Sequence, residues 1–344
     1  MSGYKSNLVL GDQIGAGHFG VVHSAQDDVH GHVAVKVLRQ QPGQSAADWT
    51  VRKASLLREA QHLSQAEHAN VVRVHGLLEA DTDDAILMVM AHCTGGSLQP
   101  VFDAGPMFPS EVRRISTEVC LGLGALHARG MLHRDIKPGN ILLTAANIAQ
   151  LGDFGLVTDN LILGYGSQAG YSDHIAIEIF QGSGTSVKSD IWALGMTIYR
   201  LLHGKQWYSE LPADPRDVIR AGGFATSLPW LPHIPDRWRR AVRKMMHDDT
   251  AHRYQSAAQV MSALAQVPTD PSWSCQVSPQ EVHWTRETEN RRINVVWTRH
   301  SPTQHEWRAW SEPLGAGRDR TLGMSNGKIS RAQVDTQLKD FFSK

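Results

Sequence analysis

An α+β fold with two lobes and a small C-terminal α+β extension is what the sequence predicts, and three observations lead to it. The first 90 residues are mostly runs of alternating apolar and polar residues, which is typical of antiparallel strands. Beyond Gly95 and Gly96, apolar residues recur at helical spacing instead. After Pro268 and Pro271 the composition shifts, and residues 272–344 hold five of the ten tryptophans.

The first lobe, residues 8–90, is predicted to be a sheet with one helix. Residues 8–39 alternate around glycines and predict three short antiparallel strands. A stripe of leucine and alanine predicts a helix within 48–67, and the apolar runs 71–78 and 86–90 predict two more strands.

The second lobe, residues 97–267, follows a predicted hinge at 91–96 and is expected to be mainly helical. Apolar spacing predicts helices over four segments, 112–128, 190–202, 235–247 and 256–266. In the extension, 282–286 and 295–299 resemble each other and predict two strands, and Ser330 is expected to cap a last helix that runs through Phe342.

The composition narrows the classes of partner. The formal net charge is zero, so no overall charge favours nucleic acid or an anionic membrane. The three cysteines are odd in number and far apart, which favours a reducing, cytoplasmic compartment over a disulfide framework. No signal peptide is expected, and no stretch approaches the roughly 20 apolar residues that a membrane span needs. The 18 histidines show no zinc-binding spacing with cysteine.

Two segments carry the predicted chemistry. The run from His133 to Asn140 is followed closely by Asp153-Phe154-Gly155. Together they contain a carboxylate that can receive a hydroxyl proton (Asp135), a lysine for phosphate charge (Lys137) and two metal ligands (Asn140 and Asp153), in the order that phosphoryl transfer uses.

A glycine-rich segment lies upstream of this constellation. Gly15, Gly17 and Gly20 have the G-x-G-x-x-G spacing of a hairpin that lets backbone N–H groups approach phosphates. Alone the pattern is weak, but Val33-Ala34-Val35-Lys36 follows it. From these motifs, residues 8–267 resemble a eukaryotic-type (Hanks-type) protein kinase, a family also found in bacteria, and the resemblance implies the bilobal protein-kinase fold.

The resemblance implies a nucleotide site and a role for each motif residue. Lys36 would hold the α- and β-phosphates of ATP with Glu59 as its ion-pair partner, and Asp135 would accept or orient the substrate hydroxyl proton. Asn140 and Asp153 would hold Mg²⁺, with Mn²⁺ as a possible substitute. The hairpin and the adenine slot would be formed by Gly15, Gly17, Gly20, Val22, Ala34, Leu142, the gatekeeper Met90 and the hinge residues Ala91 and Cys93.

Lys137 favours serine/threonine over tyrosine kinases within the family, and the His133-Arg134-Asp135 context favours protein over small-molecule substrates. Arg134 offers a positive site for a phosphorylated activation loop. The Asp190-Ile191-Trp192 run resembles the start of the central helix of the second lobe, and the resemblance implies a structural ion pair between Arg253 and Glu178.

The activation segment departs from the family pattern. The usual Ala-Pro-Glu is Ala176-Ile177-Glu178, Tyr171 stands where threonine is normal, and His174 where tyrosine is. These departures leave the choice among serine, threonine and tyrosine open. Autophosphorylation is a further hypothesis, with candidate acceptors Thr158, Tyr165, Ser167, Tyr171 and Ser172.

Two alternatives to an active serine/threonine protein kinase remain open at this point. A pseudokinase or scaffold is disfavoured because the catalytic residues are all present, and small-molecule phosphotransfer is disfavoured by Arg134 and Lys137. The extension either binds a partner or regulator or packs its tryptophans against the second lobe, and packing is the favoured interpretation.

Overall fold

The computed structural model describes residues 7–17, 20–64, 67–80, 84–152 and 172–344. The side chains of 57–64 and of Ser172 lie outside the described part as well. Among the helices in these ranges, none combines the length and the apolarity that a bilayer span requires.

The first lobe is a five-stranded antiparallel sheet in the order β1-β2-β3-β5-β4 with one helix, as predicted. Helix α1 packs on it with Trp49 and Leu56, which are 1% and 2% exposed, because its apolar residues recur on one face. The elements are β1 (Leu8–Gly17), β2 (Gly20–Asp27), β3 (Gly31–Leu38), α1 (Ala46–Ser64), β4 (Val74–Glu79) and β5 (Ile86–Ala91).

Gly20 is required by the close approach of two strands. Its φ is 154°, and a Cβ added there would lie 2.3 Å from the carbonyl oxygen of Val37 on β3. Any other residue would push the β1–β2 hairpin away from the sheet.

The second lobe is mainly helical and is organised around one long buried helix, α5. Ser186 caps its first turn with a capping box, and nearly every residue from Ser189 to Gly204 is buried. Gly204 (φ 71°) interrupts it, where a Cβ would lie 2.4 Å from the carbonyl carbon of Gly105. The elements are α2 (Gln99–Ala104), α3 (Pro109–His127), β6 (Ile141–Leu143), β7 (Ala149–Leu151), α4 (Ile177–Phe180), α5 (Val187–Ser209), α6 (Pro215–Ala221), α7 (Phe224–Ser227), α8 (Asp236–Met245) and α9 (Ala257–Leu264).

The extension is a second five-stranded antiparallel sheet, in the order β12-β11-β10-β9-β8, followed by one helix. The sequence predicted β9, β10 and the final helix, whereas the other three strands were not predicted. The helix begins after Ser330, whose capping box confirms the predicted start. The elements are β8 (Ser274–Val277), β9 (Glu281–Glu287), β10 (Arg291–Arg299), β11 (His305–Pro313), β12 (Arg320–Met324) and α10 (Arg331–Phe342).

The extension shares one hydrophobic core with the second lobe. Trp297 meets Trp207 of α5 edge to face at 6.3 Å between ring centroids, and Arg299 Nη1 contacts Glu210 Oε2 at 2.6 Å. Four of the five tryptophans here are buried, namely Trp273, Trp284, Trp297 and Trp307. The packing interpretation is therefore confirmed for Trp284 and Trp297, which contact His233 and Trp207 of the second lobe, whereas the rings of Trp273 and Trp307 contact Phe341 of the extension.

The short helices α2, α4, α6 and α7 were not predicted, because four to seven residues are too few to show a helical period. The longer elements and the α+β class agree with the prediction. Most element ends differ by up to four residues, as is usual for helix boundaries, whereas α5 extends to Ser209, seven residues beyond its predicted end.

Candidate active site

Asp190, at the start of helix α5, fixes the backbone of the loop that carries the predicted catalytic residues. Its Oδ2 accepts a hydrogen bond from the His133 N–H at 2.9 Å, and its Oδ1 accepts one from the Arg134 N–H at 2.8 Å. Its side chain is buried, and His127 Nε2 lies 2.9 Å from Oδ2. These contacts hold Arg134 in a left-handed conformation (φ 69°), which turns the chain toward Asp135.

Asp135 is the point on which two predicted residues converge. Lys137 Nζ lies 2.8 Å from its Oδ2, and Asn140 Nδ2 donates to the same oxygen at 2.7 Å and to the Asp135 carbonyl at 2.8 Å. Within the described residues, Oδ1 accepts no hydrogen bond. The carboxylate is therefore oriented through one oxygen, and the other is left for a substrate group.

Asn140 ends a 3-10 turn, Pro138–Asn140, directly before strand β6. Because its amide nitrogen is turned to Asp135, its amide oxygen, which accepts no hydrogen bond from the described residues, can serve as a ligand of the kind that Mg²⁺ accepts. The pairing of Ile141 with Leu151, and the 2.9 Å hydrogen bond from the Gly152 N–H to the Asn140 carbonyl, bring the end of β7 beside Asn140. The second predicted ligand, Asp153, comes next in the chain and lies outside the described residues, as do Phe154 and Gly155.

The first lobe contributes Lys36 and the glycine hairpin. Lys36 lies on β3 opposite Val22 of β2 and is 4% exposed. The hairpin register pairs Gly15 with Val22 and Gly17 with Gly20. Glu59 is on helix α1, but its side chain is outside the described part, so the Lys36–Glu59 ion pair stays a prediction.

The predicted adenine slot lies where the lobes are joined. Ala34 of β3 pairs with Met90 of β5 and is 6% exposed, and Ala91 donates its N–H to the Arg73 carbonyl at 2.9 Å. On the opposite side, Leu142 is held near the hinge because Leu143, the next residue, hydrogen-bonds through its N–H to the Gly96 carbonyl at 2.8 Å.

Cys93, the other predicted hinge residue, is not a reactive thiol. Burial raises its pKa to about 11, and its Sγ lies 3.3 Å from Gln150 Oε1. At neutral pH it is therefore protonated, which suits a binding role better than nucleophilic chemistry.

A buried polar cluster that was not predicted from the sequence anchors the last part of the activation segment. Arg200 of α5 donates to Asp173 Oδ2 at 2.6 Å and to His174 Nε2 at 2.5 Å, and the Tyr208 hydroxyl also contacts Asp173. Burial, then the charges of Arg200 and Lys137, hold the pKa of His174 well below its usual value, so the ring is neutral and can accept this bond. The one sequence feature that could have predicted this cluster is an arginine inside an otherwise apolar helix.

The predicted pair of Glu178 and Arg253 is confirmed. Two parallel contacts of 2.7 Å join the guanidinium to the carboxylate, and Arg253 is 2% exposed. Ile177, which replaces the usual proline, is the first residue of α4 and is buried, so it occupies a position where proline is favoured but not required. The departure Tyr171 and the candidate acceptors Thr158, Tyr165 and Ser167 lie outside the described residues.

Comparisons with known proteins identify the family of the chain. The family described as "Protein kinase domain" matches residues 8–264. The serine/threonine-protein kinase PknB of Mycobacterium leprae is 29% identical over 279 residues, covering 75% of this chain and 42% of that protein. PknB of Mycobacterium tuberculosis is 28% identical over 278 residues, with the same coverage.

Proteins from organisms other than mycobacteria are also similar to this chain. The cytokinesis protein sepH of Aspergillus terreus is 34% identical over 208 residues, 60% of this chain and 15% of that protein. The chain thus spans less than half the length of the curated relatives it matches. Because the family match covers three quarters of the chain, from the first strand to helix α9, the chain belongs to the protein kinase domain family.

Proposed function

We propose that this protein is an ATP- and Mg²⁺-dependent serine/threonine protein kinase that transfers the γ-phosphate of ATP to protein hydroxyl groups. The observation that carries the proposal is the convergence of Lys137 and Asn140 on one oxygen of Asp135. The named serine/threonine kinases among its relatives support it.

In the proposed mechanism, Asp135 orients the attacking hydroxyl and receives its proton on Oδ1, while Oδ2 stays bound to Lys137 and Asn140. Lys137 is close enough to the carboxylate to neutralise charge on the transferring group as well. Positioning and charge neutralisation carry most of the rate, because the transition state is loose.

The protein kinase family uses ATP and a divalent metal, generally Mg²⁺. Asn140 through its amide oxygen and Asp153 would hold the ion, with Mn²⁺ as a possible substitute, and a bound metal would neutralise the phosphate oxygens. A carboxylate and an amide oxygen form a hard, oxygen-only donor set, which fits Mg²⁺. ATP itself would lie under the hairpin and against Lys36, with adenine in the slot between Ala34 and Leu142.

Serine or threonine is the proposed acceptor because Lys137 is present, and autophosphorylation is proposed for the segment before Asp173. A cytoplasmic location is proposed because the three cysteines are all buried free thiols. For the extension we propose a mainly structural role, because most of its aromatic rings are used in packing.

The test is transfer of radiolabelled γ-phosphate from ATP with Mg²⁺, to the chain itself and to a generic protein substrate. Asp135→Asn and Asp153→Asn should each remove the label, whereas Asp340→Asn, an exposed position on α10, should leave it unchanged. Acid stability and mapping of the labelled residue distinguish serine or threonine from tyrosine. Nucleotide binding without any transfer would favour a pseudokinase instead.

A further inference from the structure

A basic groove lies on the surface of the second lobe, between helices α7 and α8. It is a cavity of about 310 Å³ whose floor includes Ala225 and Met246, which are 5% and 0% exposed. Its rim carries three cations of α8, namely Arg240, Arg243 and Lys244. Because both floor residues are buried, the exposed cations of the rim supply the surface that a ligand would meet, and such a rim suits a segment of chain that carries negative side chains.

The three cations lie on one face of α8, because the spacings 240, 243 and 244 correspond to one helical turn. All three are exposed, and none forms an ion pair with a carboxylate in the described part of the chain. Arg243 donates one hydrogen bond to the Thr226 carbonyl at 3.4 Å, and Lys244 lies 4.6 Å above the Tyr254 ring. Most of their donor capacity is therefore available to a ligand.

Asp248 is the single acidic residue among the residues that line the groove, and its carboxylate already accepts a hydrogen bond. Its Oδ2 accepts the Gly223 N–H at 2.6 Å. The three cations against one carboxylate leave an excess of two positive charges, in a chain whose formal net charge is zero. The groove is thus a local concentration of positive charge rather than a part of a generally basic surface.

The groove borders the segment that the substrate is expected to meet. A Cβ added at Gly222 would lie 3.3 Å from Asp248 Oδ2 and 3.9 Å from Ile177 Cδ1. Arg253 joins the same two regions, because it contacts Glu178 and also donates to the Asp248 carbonyl at 3.4 Å. The groove therefore lies next to Ile177 and Glu178, the end of the activation segment.

We propose that this basic groove, formed by Arg240, Arg243 and Lys244 over Ala225 and Met246, docks an acidic segment of the protein substrate, separate from the residue that is phosphorylated. This inference rests on the proposed kinase function, since the docked protein is a substrate only if the chain is a kinase. Arginine forks bind carboxylates in pairs of hydrogen bonds, so glutamate and aspartate side chains fit this rim.

The first experiment measures binding alone, by fluorescence anisotropy of a labelled serine peptide with six glutamates and of the same peptide with glutamines. The full chain should bind the glutamate peptide at least about tenfold more tightly, and added salt should weaken this binding. The triple variant Arg240→Ala, Arg243→Ala, Lys244→Ala should lose that preference. The matched control is Arg320→Ala, Lys328→Ala, Lys339→Ala, which removes the same charge from exposed positions of the extension and should change binding less than about twofold.

Equal binding of the two peptides, or the same loss in both triple variants, would overturn the docking proposal. Arg240→Glu is a second variant that should weaken binding of the glutamate peptide. Unchanged binding of this peptide by Arg240→Glu would also count against the proposal. In kinase assays of the groove variants, the KM for the glutamate peptide should rise while the KM for ATP stays unchanged. Selective binding without phosphorylation would instead overturn the kinase function and leave the docking site standing.

Discussion

Arg200 and Asp173 join the middle of the longest buried helix to the last part of the activation segment. Arg200 Nη2 donates to Asp173 Oδ2 at 2.6 Å, and the two residues are 9% and 8% exposed. The guanidinium also lies 4.4 Å above the Tyr208 ring. A charge in this position is stable only while its partner remains, because both groups are largely withdrawn from water.

Replacing Arg200 by methionine should therefore destabilise the fold by about 3–5 kcal/mol, since it leaves the Asp173 carboxylate buried without its cation. The double variant Arg200→Met, Asp173→Asn should recover part of this loss. Urea denaturation of both single variants and the double variant measures the coupling between them. A coupling near zero would contradict the assigned contact. In kinase assays, the protein KM should rise while the ATP KM stays unchanged.

Asn140→Ala should reduce kcat by roughly 10²–10³-fold, the loss expected when a preorganised donor is removed. The Asp135 carboxylate would lose the 2.7 Å bond that orients it, and a predicted metal ligand would be lost as well. Initial rates at several Mg²⁺ concentrations measure both effects, because loss of a ligand raises the Mg²⁺ concentration needed for half-maximal rate. Asn147→Ala, in an exposed turn, is the control and should leave the rates unchanged.

Stability should fall on acidification because of two buried histidines. Burial, more than the nearby Arg239 charge, lowers the pKa of His203 and of His233 to about 3 from a usual 6.5. Both rings are neutral when folded and bind a proton more readily when unfolded. Each therefore contributes stability that is fully present above pH 6.5 and is lost toward pH 3, by about 1.4 kcal/mol per pH unit.

The measurement is the free energy of unfolding between pH 7 and pH 4.5. His203→Phe keeps an aromatic ring beside Tyr199 and Trp230 and should make the decline shallower. His252→Gln, whose side chain is 68% exposed, is the matched control and should leave the slope close to that of the parent chain. An unchanged slope in His203→Phe would show that this ring does not titrate as assigned.

The extension should contribute to stability through its inner tryptophans. Trp297→Ala should destabilise the fold by about 3–5 kcal/mol, because a ring that is 0% exposed and packs against Trp207 is removed. Trp310→Ala is a control in the same sheet, where the half-buried ring stacks with Arg308 at 4.7 Å and should cost less than Trp297→Ala. Chemical denaturation compares the two. Equal losses would indicate that the extension does not share the core of the second lobe.

Much of the site could be predicted because its residues are close in sequence. Asp135, Lys137 and Asn140 lie within six positions of one another, so a short loop brings them together whatever the rest of the chain does. The hairpin glycines could be predicted for the same reason, since G-x-G-x-x-G requires only two adjacent strands. The pair of Glu178 with Arg253 spans 75 positions and was predicted only through the resemblance to a family.

The sequence by itself determined the α+β class, the order of the long elements and the identity of the catalytic loop, because local periodicity and contiguous motifs encode these. Only the tertiary structure decided that Arg200 meets Asp173, that the extension adds a five-stranded sheet to the core, and that three cations rim a groove beside Ile177. Such contacts join residues far apart in the chain, and their free energy depends on burial, which no local pattern specifies.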